Sequence, residues 1–137
     1  MNKILNFYRY LFYRLYSWNL KTWGMVDGPH WNATIGISFM MLANITPLLL
    51  IIQLIGPKIF QEDKPVFVLF VIWSSTYLAN YLWLVRGGKY LEWTKEYDKE
   101  DKTTRTKNTL YLFFYLIASL AVPAYLTVIV GEIHGLR

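Results

Sequence analysis

The sequence predicts an all-α integral membrane protein: three transmembrane helices, an N-terminal interfacial amphipathic helix and a short cytoplasmic helix. Three observations point there. Trp31 to Pro57, Pro65 to Val85 and Asn108 to Gly131 contain no Asp, Glu, Lys or Arg. A helix of about 21 residues reaches roughly 31 Å at about 1.5 Å per residue, enough to cross a hydrocarbon core of about 30 Å. The chain is 55% apolar and 18% aromatic, yet its charges gather in blocks between the apolar runs, a distribution that suits lipid better than a water-soluble core. Finally, the N-terminal segment separates rings from cations around a helix. The expected organisation is one membrane domain over 1–137, with the amphipathic helix at 1–24, spans at 33–56, 65–86 and 108–131, and the cytoplasmic helix at 89–102.

At 100° per residue, Ile4, Phe7, Leu11, Leu15 and Trp18 share one half of the first helix with Leu5, Tyr8, Phe12 and Tyr16. Asn6, Arg9, Tyr10, Tyr13, Arg14, Ser17 and Lys21 share the other. Such a helix is suited to lie in the headgroup region with rings buried and cations outward, or to pack the same face on the protein's own spans. Arg9, Arg14 and Lys21 interrupt the apolar character of this segment, and no small-residue cleavage site follows it, so a retained segment is expected rather than a signal peptide. Gly24 to Asn32 carries turn chemistry that ends the helix and directs the chain into the bilayer. Trp23 and Trp31 are expected interfacial anchors, which makes Arg9, Arg14, Trp18, Lys21, Trp23 and Trp31 the candidate lipid-interface residues.

In span one, Gly36, Met40, Ala43, Asn44 and Pro47 fall close to one face. Pro47 removes an amide and frees the Ala43 carbonyl, so a kink is expected there, with Asn44 or Thr46 covering the exposed backbone. In span three, Pro123 frees the Ser119 carbonyl in the same way. Gly56 and Pro57 end span one, and Gln61 to Lys64 return the chain. Span two carries Ser74, Ser75, Thr76 and Asn80 in its second half, with Ser75 and Ala79 as a small-xxx-small pair. Ala118, Ala121 and Ala124 recur along span three. Small residues let helix backbones approach, so these faces are expected to pack, chiefly within the chain. Gly87 and Gly88 precede a charged helix with Tyr90, Trp93 and Tyr97 along one side and Glu92–Lys95 and Glu96–Lys99 as i,i+3 pairs. Thr103 to Asn108 supplies capping residues for span three.

Basic residues number four before span one, two in the first loop, seven from Arg86 to Lys107 and one at the end, so alternate segments hold eleven against three. Because Lys and Arg stay on the cytoplasmic side, the N-terminus and the 86–107 loop are expected inside and the C-terminus outside. The net charge of +5 is then explained by attraction to anionic lipid headgroups. The 86–107 loop also carries Glu92, Glu96, Asp98, Glu100 and Asp101, a mixture that suits a solvated helix and argues against nucleic acid as a partner.

No reactive constellation emerges. The chain has no cysteine, which excludes disulfides, thiolate catalysis and sulfur-ligated metals. His30 and His134 are expected on opposite sides of the bilayer, so they cannot share a metal. The nucleophile elbow, the zinc-binding His-Glu-x-x-His and the phosphate-cradling glycine loop are missing. Ion coupling usually requires an ionisable residue within the bilayer, and the spans contain none; Glu132 at the end of span three is expected to pair with Lys58 or Lys64. Asn44, Gln53 and Asn80 are the intramembrane polar candidates, with interhelical hydrogen bonding as their expected role. The expectation is therefore no enzyme, no cofactor and no metal.

The run from Tyr13 to Gly24, Tyr-Arg-Leu-Tyr-Ser-Trp-Asn-Leu-Lys-Thr-Trp-Gly, followed by Pro29 and Asn32-Ala33, resembles the N-terminal region of small uncharacterised multi-pass inner-membrane proteins of Bacteroidota-type bacteria. The resemblance implies a bacterial inner-membrane location and carries no activity with it. The order of elements is also similar to mitochondrial pyruvate carrier subunits, whose motifs the chain lacks. The expected role is an accessory or assembly subunit of a membrane complex, with the lipid bilayer and a second copy or another membrane protein as partners. The alternatives are an oligomeric transporter or channel for small solutes or ions, and a membrane-permeabilising, holin-like protein.

Overall fold

A computed structural model describes residues 3–55 and 65–133, which form α1 (Lys3–Trp23), α2 (Pro29–Ile55), α3 (Pro65–Asn80), α4 (Lys89–Tyr97) and α5 (Lys102–Ile133). A π-helical turn over Tyr81–Val85 and a 3-10 turn over Arg86–Gly88 join α3 to α4, and there is no strand among the described residues. Three helical segments are long and apolar enough to cross a membrane: Pro29–Ile52, the stretch beginning at Val66, and Lys102–Ile133. The expected end of span one at Gly56 and Pro57, the Gln61 to Lys64 loop, His134 and the pairing of Glu132 with Lys58 or Lys64 lie outside the described residues, as does the side chain of Gln53.

The buried core sits at one end of the molecule. Leu11, Phe12 and Tyr13 of α1 are at most 2% exposed and meet Ala33 and Ile37 of α2, Leu84 and Val85 of the π turn, and Leu112 of α5. The leucine, isoleucine, valine and phenylalanine side chains among them contribute about 1.5–3 kcal/mol each when removed from water. Gly36 leaves room for α1 against α2: a Cβ there would lie 3.1 Å from Leu15 Cδ1, so its packing partner is α1 rather than another span. Away from this end many apolar side chains face outward, as at Val66, Phe70 and Tyr125, although Leu50 and Val130 are buried there.

The helix boundaries differ from the sequence expectation where polar residues act as caps. Span three was expected from Asn108 with its cap in Thr103 to Asn108. Instead α5 starts at Lys102, because Asp101 caps it: its Oδ2 accepts from the Thr104 amide at 2.9 Å. That contact holds the Asp101 carboxyl below its usual range. The charged helix accordingly stops at Tyr97 instead of 102, and Asp98 to Asp101 form the turn between α4 and α5. At the start of α2, Pro29 occupies the first helical position, where its fixed φ and missing amide cost nothing, so this helix begins before Ala33.

Span two is not one regular helix. The Arg86 amide donates to the Tyr81 carbonyl, the five-residue spacing of a π turn, and Leu84 and Val85 are buried there. Gly87 (φ +81°) and Gly88 (φ +71°) then take left-handed conformations that kink the chain into α4; a side chain at either would be strained. Both α2 and α5 continue through their prolines, Pro47 and Pro123. Thr46 covers the Leu42 carbonyl at 2.9 Å rather than that of Ala43, and the Asn44 side chain turns away from its own helix.

Asp101→Ala is expected to speed amide hydrogen exchange at Thr103 and Thr104 and to lower the thermal midpoint in detergent, whereas Asp101→Asn preserves most of both. Equal exchange in all three proteins removes Asp101 as the cap.

Candidate functional site

Two polar assemblies organise the helices, one between the spans and one where α1 docks on α4. Between α2 and α5, Asn44 Nδ2 donates to the Tyr115 hydroxyl while Asn44 Oδ1 accepts from Ser119 Oγ at 3.1 Å. Tyr8 of α1 faces the same cluster, and Phe7 meets the Tyr115 ring edge-on at 4.8 Å. Between α2 and α3, Asn80 Nδ2 lies 3.0 Å from Ser38 Oγ and 3.2 Å from Met41 Sδ. Ser38 in turn donates to the Thr34 carbonyl at 2.7 Å. The amides of Asn44 and Asn80 thus find partners on a neighbouring helix, which suits an apolar solvent where an unmet polar group is costly.

Pro47 and Pro123 flank the first of these clusters. With Asn44, Ala118 and Ser119 they line a crevice of about 290 Å³ between α2 and α5. The remaining small residues behave differently. Ser75, Ala79 and Ala121 are exposed, and Ser75 Oγ bonds only its own helix, to the Val71 carbonyl at 2.8 Å. These positions, expected to pack mainly within the chain, face away from it.

The second assembly was not read from the sequence. Tyr10 and Tyr13 were assigned to the polar half of α1, but both are buried, and their hydroxyls donate to Glu100 Oε2 at 2.7 Å and to Asp98 Oδ1 at 2.8 Å. Asn108 of α5 donates to the other Glu100 oxygen, and Arg105 Nη2 reaches the Asp98 carbonyl at 3.1 Å. The Tyr97 ring packs against both Tyr10 and Tyr13, at 5.2 and 5.3 Å, and Tyr90 packs against Phe12, Tyr16 and His30. Glu92, Lys95, Glu96 and Lys99, the expected paired charges of α4, are exposed, while the carboxylates that tie α1 down belong to the turn after it. The available signal was the spacing of Tyr10, Tyr13 and Tyr97 as polar-tipped rings beside an acidic turn. Burial, reinforced by Glu100, pushes the Tyr10 hydroxyl up to about 12, and burial with Asp98 raises Tyr13.

The candidate interfacial residues divide in two. Trp18, Lys21, Trp23 and Trp31 are exposed, with the Trp18 and Trp23 rings 5.3 Å apart and Trp31 stacked on Tyr81 at 4.9 Å. Arg9 and Arg14 are half-buried; the Arg9 guanidinium carbon lies 4.5 Å above the Trp93 ring. Arg9 and Trp93 form part of a cavity of about 500 Å³ between α1, α4 and α5, whose polar lining includes Lys3, Asn6, Glu96 and Asn108. The described residues contain no cluster of three or more His, Asp or Glu side chains able to hold a metal.

Tyr10→Phe removes a hydrogen bond to a charged acceptor and is expected to cost about 1.5–3 kcal/mol in thermal or denaturant unfolding in detergent. Because the folded Tyr10 pKa of about 12 exceeds the free value of about 10, its stabilisation is complete below pH about 10 and is lost as pH rises through about 12. A tyrosinate absorbance titration of wild type against Tyr10→Phe should show one late-ionising group disappear. Asn44→Leu, which strands Ser119, is expected to cost about 1 kcal/mol and to leave α1 docked. No protein-family model, curated protein or solved structure matches this chain.

Proposed function

We propose that this chain is a non-enzymatic integral protein of a bacterial inner membrane that serves as an accessory or assembly subunit of a membrane complex. The observation that carries this reading is where the small residues of the apolar helices point. Ser75 and Ala79 of α3, together with Ala121 and Ala124 of α5, are exposed while the interhelical asparagines are engaged within the chain. A small-residue surface on an apolar helix lets a second helix approach closely, and packing rather than water drives association in lipid. The partner is a second copy or another membrane protein.

In this reading α1 lies along the cytoplasmic headgroups. Trp18, Trp23 and Lys21 are exposed there, and the eleven-to-three bias of basic residues supports an inside N-terminus and 86–107 segment with the C-terminus outside. A second reading, an oligomeric small-solute channel, draws support from the crevice that Asn44, Ser119, Pro47 and Pro123 line. Its polar groups already bond one another, which favours packing.

Three measurements test these statements. The chain is expected to resist carbonate extraction; release into the soluble fraction removes the membrane reading. Mild-detergent purification is expected to yield a species larger than one protomer, which Ser75→Leu with Ala79→Leu dissociates, and a monodisperse monomer without any co-purifying protein rejects the assembly role. Solute flux in liposomes that Asn44→Leu abolishes would establish the channel instead.

A further inference from the structure

The cavity between α1, α4 and α5 has a composition that the packing role does not use. Its floor is apolar, with Phe7, Tyr111 and Leu112 contributing, and Tyr111 is 59% exposed, so the cavity opens toward the outward face of α5. Its α1 wall carries Lys3 and Arg9, and Glu96 stands opposite on α4. Two polar atoms in that wall are buried without a hydrogen-bond partner: Asn6 Oδ1, an acceptor, and Arg9 Nε, a donor. They lie three residues apart, on one face of the helix. Both atoms are closed off from solvent as they stand, so a group entering the cavity gains these bonds only once the two side chains turn toward it.

The volume of about 500 Å³ far exceeds a bare phosphate ion, given about 30 Å³ for one water. A simple anion answers Lys3 and Arg9 but leaves Asn6 Oδ1 unmet and faces the Glu96 carboxylate. A phosphodiester that also carries a primary amine answers both signs of charge: phosphate oxygens accept from Arg9 and Lys3, and the ammonium donates toward Asn6 or Glu96. Glycerol and the first acyl carbons then follow Phe7, Leu112 and Tyr111 out to the apolar surface.

We propose that this cavity is a headgroup site for an aminoalkyl phosphodiester lipid of the ethanolamine type, a proposal that rests on the membrane reading above. Arg9 and Lys3 hold the phosphate, Glu96 selects the amine, and a modest rotation of Asn6 and Arg9 turns their unmet atoms into the cavity. A lipid seated there touches three helices at once and ties α1 and α4 to the start of α5.

The test is native mass spectrometry of the detergent-purified chain, titrated separately with phosphatidylethanolamine, phosphatidylglycerol, phosphatidylcholine, soluble glycerophosphoethanolamine and inorganic phosphate. One phosphatidylethanolamine per chain is expected, held more tightly than the other two lipids. Arg9→Gln and Lys3→Gln should each weaken it about tenfold, and Lys89→Gln, exposed and outside the cavity, should leave it unchanged. Glu96→Gln should narrow the preference for ethanolamine over glycerol. Arg9 packs on Trp93, so if its replacement unfolds the chain, the exposed Lys3 carries the test. Equal retention of the three lipids, or no change in either cationic variant, overturns the proposal. Competition by glycerophosphoethanolamine or inorganic phosphate at the lipid's own concentration overturns the lipid as the source of the phosphate. A carbonate-resistant chain that binds no phosphatidylethanolamine overturns this site alone, whereas a carbonate-extracted chain overturns the membrane reading beneath it.

Discussion

Burial of Leu11, Phe12 and Tyr13 of α1 is the interaction on which the rest of the structure depends. It brings the N-terminal helix onto the first turns of α2, supplies the surface on which α4 lies, and leaves Tyr10 and Tyr13 to be tied by Glu100 and Asp98. Its location follows from the solvent. Apolar side chains gain free energy by leaving water, but gain little by leaving hydrocarbon for one another. A compact core therefore forms at the end of the molecule that carries the charges. Toward the other ends of the apolar helices, Phe70 and Val128 face outward, as helices long and apolar enough to cross a membrane allow.

Where hydrophobic collapse is weak, polar contacts and shape set the arrangement of the helices. Asn44 engages both Tyr115 and Ser119, and Asn80 engages Ser38, so each spanning neighbour of α2 is held by a side-chain amide. An amide serves well because it donates and accepts at once, and its register along the helix is fixed by what it meets. The prolines beside the first cluster leave a crevice, but the groups that line it are already bonded to one another.

Much of this was legible in the chain itself. Charge-free length is a one-dimensional property, so the three apolar segments could be read directly. Cap positions were less accessible: Asp101 and Thr103 to Asn108 are all plausible caps, and which one acts depends on where the Asp98 to Asp101 turn places the backbone. The docking face of α1 was misread for a different reason. On a helical wheel Tyr10 and Tyr13 group with Arg9 and Arg14, and only the fold reveals that an acidic turn some ninety residues later supplies acceptors for their hydroxyls. Tyr115 likewise looks like one more ring of an aromatic span until Asn44 is set against it. Ser75 and Ala79 have the spacing of a packing face, and spacing alone does not say whether the helix they meet belongs to the same chain.

The π turn over Tyr81–Val85 behaves as a phase adjuster at the end of α3, just before the glycines that lead into α4. One surplus residue in that turn rotates everything downstream by about 100° relative to an unbroken α-helix. Leu84 and Val85 face inward at that turn, and the left-handed Gly87 and Gly88 then set the direction from which Tyr90, Trp93 and Tyr97 reach α1. The joint between Asn80 and Gly88 is consequently intolerant of insertion or deletion in a way that point substitution would not reveal: a single-codon slip would leave each helix intact yet turn the aromatic face of α4 away from its seat.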